Sequence, residues 1–223
     1  MTATPEPAVT AAGVPGGRPR ALVVVLAVVS AIALLAAGAG LAVATGLGTD
    51  PVPGERSVDA GFARDMSTHH VQATEMAQVV RDTGSDPAVR LMAFDIETQQ
   101  LSQVGQMRGW LQTWGLTGQS GEPPMAWMAG GHHSLEPGEQ MPGMATTAEL
   151  AKLRSLTGRA LDVYFLQLMI RHHHGGLEMA QDAAANASEP YVRDLATKMA
   201  QGQQAEVVTM EQMLRERGGQ PLS

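Results

Sequence analysis

The sequence predicts an all-α protein: a four-helix bundle built from two duplicated helical hairpins with a long crossover, preceded by one N-terminal transmembrane helix. Three observations predict it. Residues 62–115 recur at 165–218 with a constant offset of 103 and no gap. Apolar residues in both copies are spaced by three and four, without period-two alternation. A charge-free apolar run fills residues 21–44, long enough to cross a bilayer.

The N-terminal stretch 1–20 is rich in Pro, Gly, Ala and Thr, a composition that favours disorder. Arg18 and Arg20 precede the apolar run, and no basic residue follows until Arg56. That asymmetry puts the N-terminus in the cytoplasm and the rest of the chain outside it, as a single-pass membrane protein. Ala42-Val43-Ala44 also fits a signal-peptidase site, so secretion after cleavage is the alternative. The run exceeds the ~7–15 residues of an ordinary signal core, which favours an uncleaved anchor. Residues 45–57, with Gly46, Gly48, Pro51, Pro53 and Gly54, form a linker to a domain over 58–218.

Within that domain the first copy predicts a helix over about 58–82. Ser85-Asp86-Pro87 then stops it and starts another, with Pro at an early helical position. The second helix runs over about 87–114 and ends at Gly115, a suitable C′ glycine. The second copy repeats the grammar. Thr146 and Glu149 form a capping box ahead of a helix over about 147–185, with a break near Gly158. Ser188-Glu189-Pro190 restarts the chain into a helix over about 190–217, closed by Gly218-Gly219. Two short turns and one long connection (116–146) define a bundle with a single crossover, as in ferritin-like folds.

Eighteen of the 54 aligned pairs are identical, and the repeat governs every other reading of the chain. The best-kept pairs are Phe62/Phe165, Met66/Met169, His69/His172, His70/His173 and Met76/Met179. At 100° per residue they share a helical face about 120° wide, with Ala73 and Gly176 as small residues among them. Glu75 and Glu178 point elsewhere, as does His174, which has Val71 as its counterpart and should face solvent. Pairs Glu75–Arg90 and Glu178–Arg193 are expected across the two hairpin turns.

Apart from Met1, all thirteen methionines lie between residues 66 and 213, and all seven histidines between 69 and 174. Methionine fills irregular gaps in helical cores, which accounts for Met92, Met107, Met199, Met210 and Met213. A recurring M-x-x-H-H-x-x-x-x-x-M pattern asks for more. Imidazole with thioether suits Cu(I), imidazole also accepts zinc, and thioether has little affinity for hard cations. The chain has no Cys, so neither thiolate ligands nor disulfides contribute. The crossover carries a second Met/His group: Met125, Met128, His132, His133, Met141 and Met144. These side chains either cap the open end of the bundle or add ligands.

A net charge of −7 without a basic stripe or aromatic platform argues against nucleic acid as a partner. No E-x-x-H is present, so a ferritin-type di-iron site is excluded. No H-E-x-x-H, P-loop or G-x-S-x-G occurs. No catalytic motif is found, and the expectation is a protein that is not an enzyme.

The segments F-x-x-x-M-x-x-H-H-x-x-x-x-x-M-A from Phe62, M-P-G-M from Met141 and F-L-x-x-M-I-x-H-H from Phe165 resemble the DUF305 domain family. The resemblance covers about residues 58–217. It implies a ferritin-like helical bundle, often exported, with copper binding and copper tolerance attributed to some members. It makes Met66, His69, His70, Met76, Met169, His172, His173 and Met179 the candidate metal ligands, with Met141 and Met144 matching the family's loop segment. The expected function is extracytoplasmic copper binding or sequestration, Cu(I) preferred and zinc second, on a membrane-tethered domain. A non-metal interaction module of the cell envelope and a metal-dependent enzyme are the alternatives.

Overall fold

The computed structural model describes residues 18–46, 52–128, 135 and 139–222. The described residues contain six helices and no strand. Helix α1 (Arg18–Thr45) belongs to an N-terminal unit. Its apolar side chains lie on all sides and none is buried. It is the one described helix long and apolar enough to cross a membrane.

The second unit spans Val52–Ser223 and is compact by itself. Helices α2 (Val58–Thr83) and α3 (Pro87–Thr113) form the first hairpin; α5 (Gly158–Asn186) and α6 (Pro190–Glu216) form the second. Helix α2 also packs on α5. The short α4 (Thr147–Ser155) lies on the crossover. The sequence predicts one helix over 147–185 with a break near Gly158; the break is complete. Leu156 and Thr157 are extended, and Gly158 restarts the chain at φ +59°, a conformation that glycine adopts without steric cost.

Local signals act as their chemistry requires. Asp86 caps α3 by accepting from the Ala88 and Val89 amides, with Pro87 just inside. Thr146 and Glu149 form the capping box on α4. Gly115 and Gly218 take φ +72° and +65°. There the Leu116 and Gly219 amides reach back to the Leu111 and Leu214 carbonyls, the long bond of a Schellman closure.

The hairpins are locked together by two carboxylates that the repeat relates. Asp59, at the start of α2, accepts the Ser188 and Glu189 amides of the α5–α6 turn. Asp162, 103 residues later at the start of α5, accepts the Ser85 and Asp86 amides and the Ser85 hydroxyl of the α2–α3 turn. Each hairpin thus caps the turn of the other, through carboxylates 0% and 1% exposed. The expected Glu75–Arg90 and Glu178–Arg193 pairs are replaced. Glu75 pairs with Arg154. Arg90 donates to the Arg81 carbonyl and Arg193 to those of Ala187 and Ser188. Carbonyls left open at helix ends are the stronger attraction for a guanidinium there.

The apolar core falls into two clusters. One holds the first half of α2 and the second half of α5, including Phe62, Met66 and Met179. The other holds the second half of α2 and the first half of α5, including Met76, Phe165 and Met169. The two helices therefore run antiparallel. The histidine pairs fall where one cluster gives way to the other.

Replacing Asp162 with Ala would leave buried amides of a turn without an acceptor, a loss of ~2–4 kcal/mol. Urea denaturation of residues 52–223 measures it. Asp59→Ala should cost a similar amount, and a loss below ~0.5 kcal/mol for both would remove the reciprocal caps as a source of stability.

Candidate metal centre

Helices α2 and α5 bring all four paired histidines into their shared seam. His69, His70 and His173 are 0% exposed and His172 is 1% exposed. The His69 and His172 rings meet with centroids 3.7 Å apart and planes tilted by 35°. The His172 and His173 centroids are 6.4 Å apart. His174, one residue on, faces solvent. Met66, Met76, Met169 and Met179 are all fully buried, two in each core cluster. The seam is thus a layer of imidazole with thioether on both sides.

Burial disfavours the charged form of His69, His70 and His172. His69 is pushed down to about 4 and His70 to about 3, in each case mainly because burial penalises the cation. Burial also holds His172 well below the usual imidazole range, with the His69, His173 and His70 rings adding to the effect. A neutral imidazole has one N–H and one lone pair. Three of the rings use the N–H at Nε2. His69 donates to the Pro142 carbonyl at 3.1 Å, His70 to Gln103 Oε1 at 2.7 Å and His173 to Glu206 Oε2 at 2.7 Å. Their Nδ1 atoms are buried without a hydrogen-bond partner, as is Nε2 of His172. Four lone pairs therefore face the interior. Donation of the opposite N–H to a carbonyl or carboxylate is the arrangement that orients a metal-binding imidazole.

The partners obey the repeat: Gln103 and Glu206 are equivalent positions, each 33 residues beyond its histidine. Two further groups border the layer, the buried amides of Gln100 and Gln203, each with an unpartnered Oε1. They are one of the eighteen identical pairs, so the repeat carried the signal, although glutamine in a helix does not advertise a site.

The M-P-G-M turn closes over the seam. Gly143 takes φ +80° and packs against the backbone of Arg171 and His172, where a Cβ would overlap. Gly175 admits the Pro142 carbonyl, which a Cβ would also strike. Gln72, the repeat partner of Gly175, clasps Ala145 through both amide atoms at 2.9 and 2.6 Å. The two glycines in α5 thus serve close approach, and the helix runs unbroken through them. Gly176 lies against Gln203 and His69. Arg171 grips Glu149 with bonds of 2.8 and 2.7 Å, and that guanidinium holds Glu149 down at about 2.

Met141 is buried in the cluster that holds Met66 and Met179, and Met144 packs against it half-buried. Met125 and Met128 join the same cluster, so they cap the bundle end. Asp65 fixes them by accepting from the Met125 amide and Trp127 Nε1, both at 2.7 Å. His132 and His133 lie outside the described residues.

Among the described residues, no three His, Asp or Glu side chains form a ready chelate. The described pockets open elsewhere, beside Arg64, Asp65 and Glu122. Stacking at 3.7 Å leaves no room for an ion between the His69 and His172 faces. An ion held here would have to meet ring edges, where the unpartnered nitrogens are, and not ring faces. The donors present fit a soft cation of low coordination number better than zinc, which takes four ligands in structural sites.

These features define a helical bundle with a buried His/Met seam. Residues 59–214 match the domain of unknown function DUF305, and the chain belongs to that family. A DUF305 protein from Streptomyces coelicolor is 44% identical, with 76% of this chain and 99% of that one covered at a TM-score of 0.71. A DUF305 fragment from Deinococcus radiodurans is 31% identical, covering 75% and 99%, with a TM-score of 0.60. CopM in its Cu(II)-bound form is 25% identical, covering 71% and 96%, with a TM-score of 0.55. No curated protein matches the chain.

Neutral burial has a pH consequence. Below about 6.5 the unfolded chain binds protons on His69 and His70 that the folded chain refuses. Stability of the metal-free protein should therefore fall as pH drops from about 6.5 towards 4, by up to ~1.4 kcal/mol per pH unit for each histidine. Denaturation at stepped pH measures it; a flat profile would show that these rings are not held neutral.

Proposed function

We propose that this protein binds copper outside the cytoplasm, preferring Cu(I), and that it stores or passes on the ion rather than catalysing a reaction. The carrying observation is the set of four buried imidazole lone pairs between thioether layers. An interior spends hydrogen-bonding capacity in this way at a cost of ~1–3 kcal/mol per unsatisfied group, and ligation would remove that cost. His69, His70, His172 and His173 would supply nitrogen. Met66, Met76, Met169 and Met179 would supply sulfur, with Met141 and Met144 on the covering turn. The existence of related CopM structures with Cu(I), Cu(II) and silver bound supports the reading.

Helix α1 would tether the domain, with Arg18 and Arg20 on the cytoplasmic side. The Streptomyces relative is described as a candidate secreted protein, consistent with an exported bundle whether or not the helix is retained. Thioether suits that setting because it persists where a free thiol oxidises readily.

Competition of residues 52–223 against a Cu(I) chelator tests the function. The His69/His70/His172/His173→Ala variant should bind at least ~100-fold more weakly, since even partners behind the ligands contribute 10–100-fold. Met66→Leu with Met179→Leu preserves volume and should weaken Cu(I) while leaving zinc unaffected. Cu(I) binding undiminished in folded forms of both variants would refute the assignment.

A further inference from the structure

The halves of the bundle repeat their His and Met ligand pairs and Gln100/Gln203, but they differ elsewhere on α3 and α6. Under the offset of 103, Gln99 becomes Gly202 and Gln103 becomes Glu206. Both members of the second pair hold a histidine Nε2 at 2.7 Å. Gln103 is uncharged and buried, whereas the Glu206 side chain is 20% exposed. Of the side chains that hold these rings, Glu206 is the one that reaches water. One turn before it, Gly202 has no side chain; the atom nearest its vacant Cβ position is the amide nitrogen of Gln99, at 3.4 Å.

We propose that Glu206 is the port of the buried centre: the group that receives a monovalent copper ion from solvent and hands it to His173. The proposal rests on the copper-binding reading above. A cation reaching this side of α6 meets a carboxylate whose other contact is the ring it must pass to. The same hydrogen bond fixes the His173 N–H at Nε2, so that Nδ1 presents its lone pair inward. Transfer then needs the His173–Glu206 hydrogen bond to open and both side chains to rotate, the ion exchanging a carboxylate oxygen for Nδ1 of His173; the ring keeps its Nε2 proton and no covalent bond changes. The α2–α3 half offers no equivalent, because the amide of Gln103 carries no charge and is covered. Loading is therefore one-sided in a centre whose ligands are nearly symmetric.

A charge at the mouth of a low-dielectric site raises association rates by ~10-fold or more, and the effect is screened by salt. Glu206→Gln is the decisive variant, since the other half of the bundle already accommodates glutamine at this position. With the full chain in detergent, Cu(I) delivered from a chelator complex and followed by stopped flow, uptake should slow about tenfold. The decline of the wild-type rate with ionic strength should weaken markedly. Uptake by Glu206→Gln at the wild-type rate, or slower uptake that keeps the wild-type salt dependence, would overturn the port. Failure of the wild-type protein to take up any copper would instead overturn the function it rests on, and the port with it.

Discussion

An imidazole can lie inside an apolar helical seam only if it stays neutral and its N–H finds an acceptor. For the N–H, His69, His70 and His173 find Pro142, Gln103 and Glu206. Much of the surrounding structure follows from it. The Pro142 carbonyl must arrive at His69, so the M-P-G-M turn must press onto α5, and Gly143 and Gly175 are the residues that allow it. Gln72 and the Glu149–Arg171 pair hold the flanks of the same turn. The energetic cost of burying four histidines is thereby shifted from their N–H groups to their lone pairs, where a metal can use it.

Duplication explains why the arrangement is nearly symmetric, and the single crossover explains where symmetry fails. Asp59 and Asp162 exchange caps between hairpins and tie the two copies into one cooperative unit. Only one loop crosses the bundle, so Gln72 and Gly175 must treat the same segment differently. One grips Ala145; the other makes way for Pro142. The replacement of Gln103 by Glu206 has no such topological reason, and it gives one side of the centre a charge.

Much of this was legible in the sequence. The hairpins, the Thr146–Glu149 box and the glycine closures at 115 and 218 depend on local chemistry, which short spacings record. The buried His/Met face and the outward His174 followed from helical periodicity applied to both copies. The reciprocal carboxylate caps were not legible, because Asp59 and Asp162 lie just upstream of the aligned stretch, Asp59 resembles an ordinary first-turn acid, and Asp162 falls inside the single helix expected over 147–185. Partners such as Gln103 and Glu206 differ in identity, so a count of matches passes over them. The fit of the M-P-G-M turn against α5 is a contact between a loop and a helix, with no period to betray it. The expected Glu–Arg pairs failed because spacing alone ignores the stronger demand of open carbonyls at helix ends.

Copper-edge anomalous diffraction from crystals of the Cu(I)-loaded bundle tests the central claim most directly. A peak is expected in the α2–α5 seam, bonded to at least one of His69 Nδ1, His70 Nδ1, His172 Nε2 and His173 Nδ1 together with a methionine sulfur. Peaks confined to the bundle surface, with the four rings still stacked and their lone pairs unligated, would contradict it.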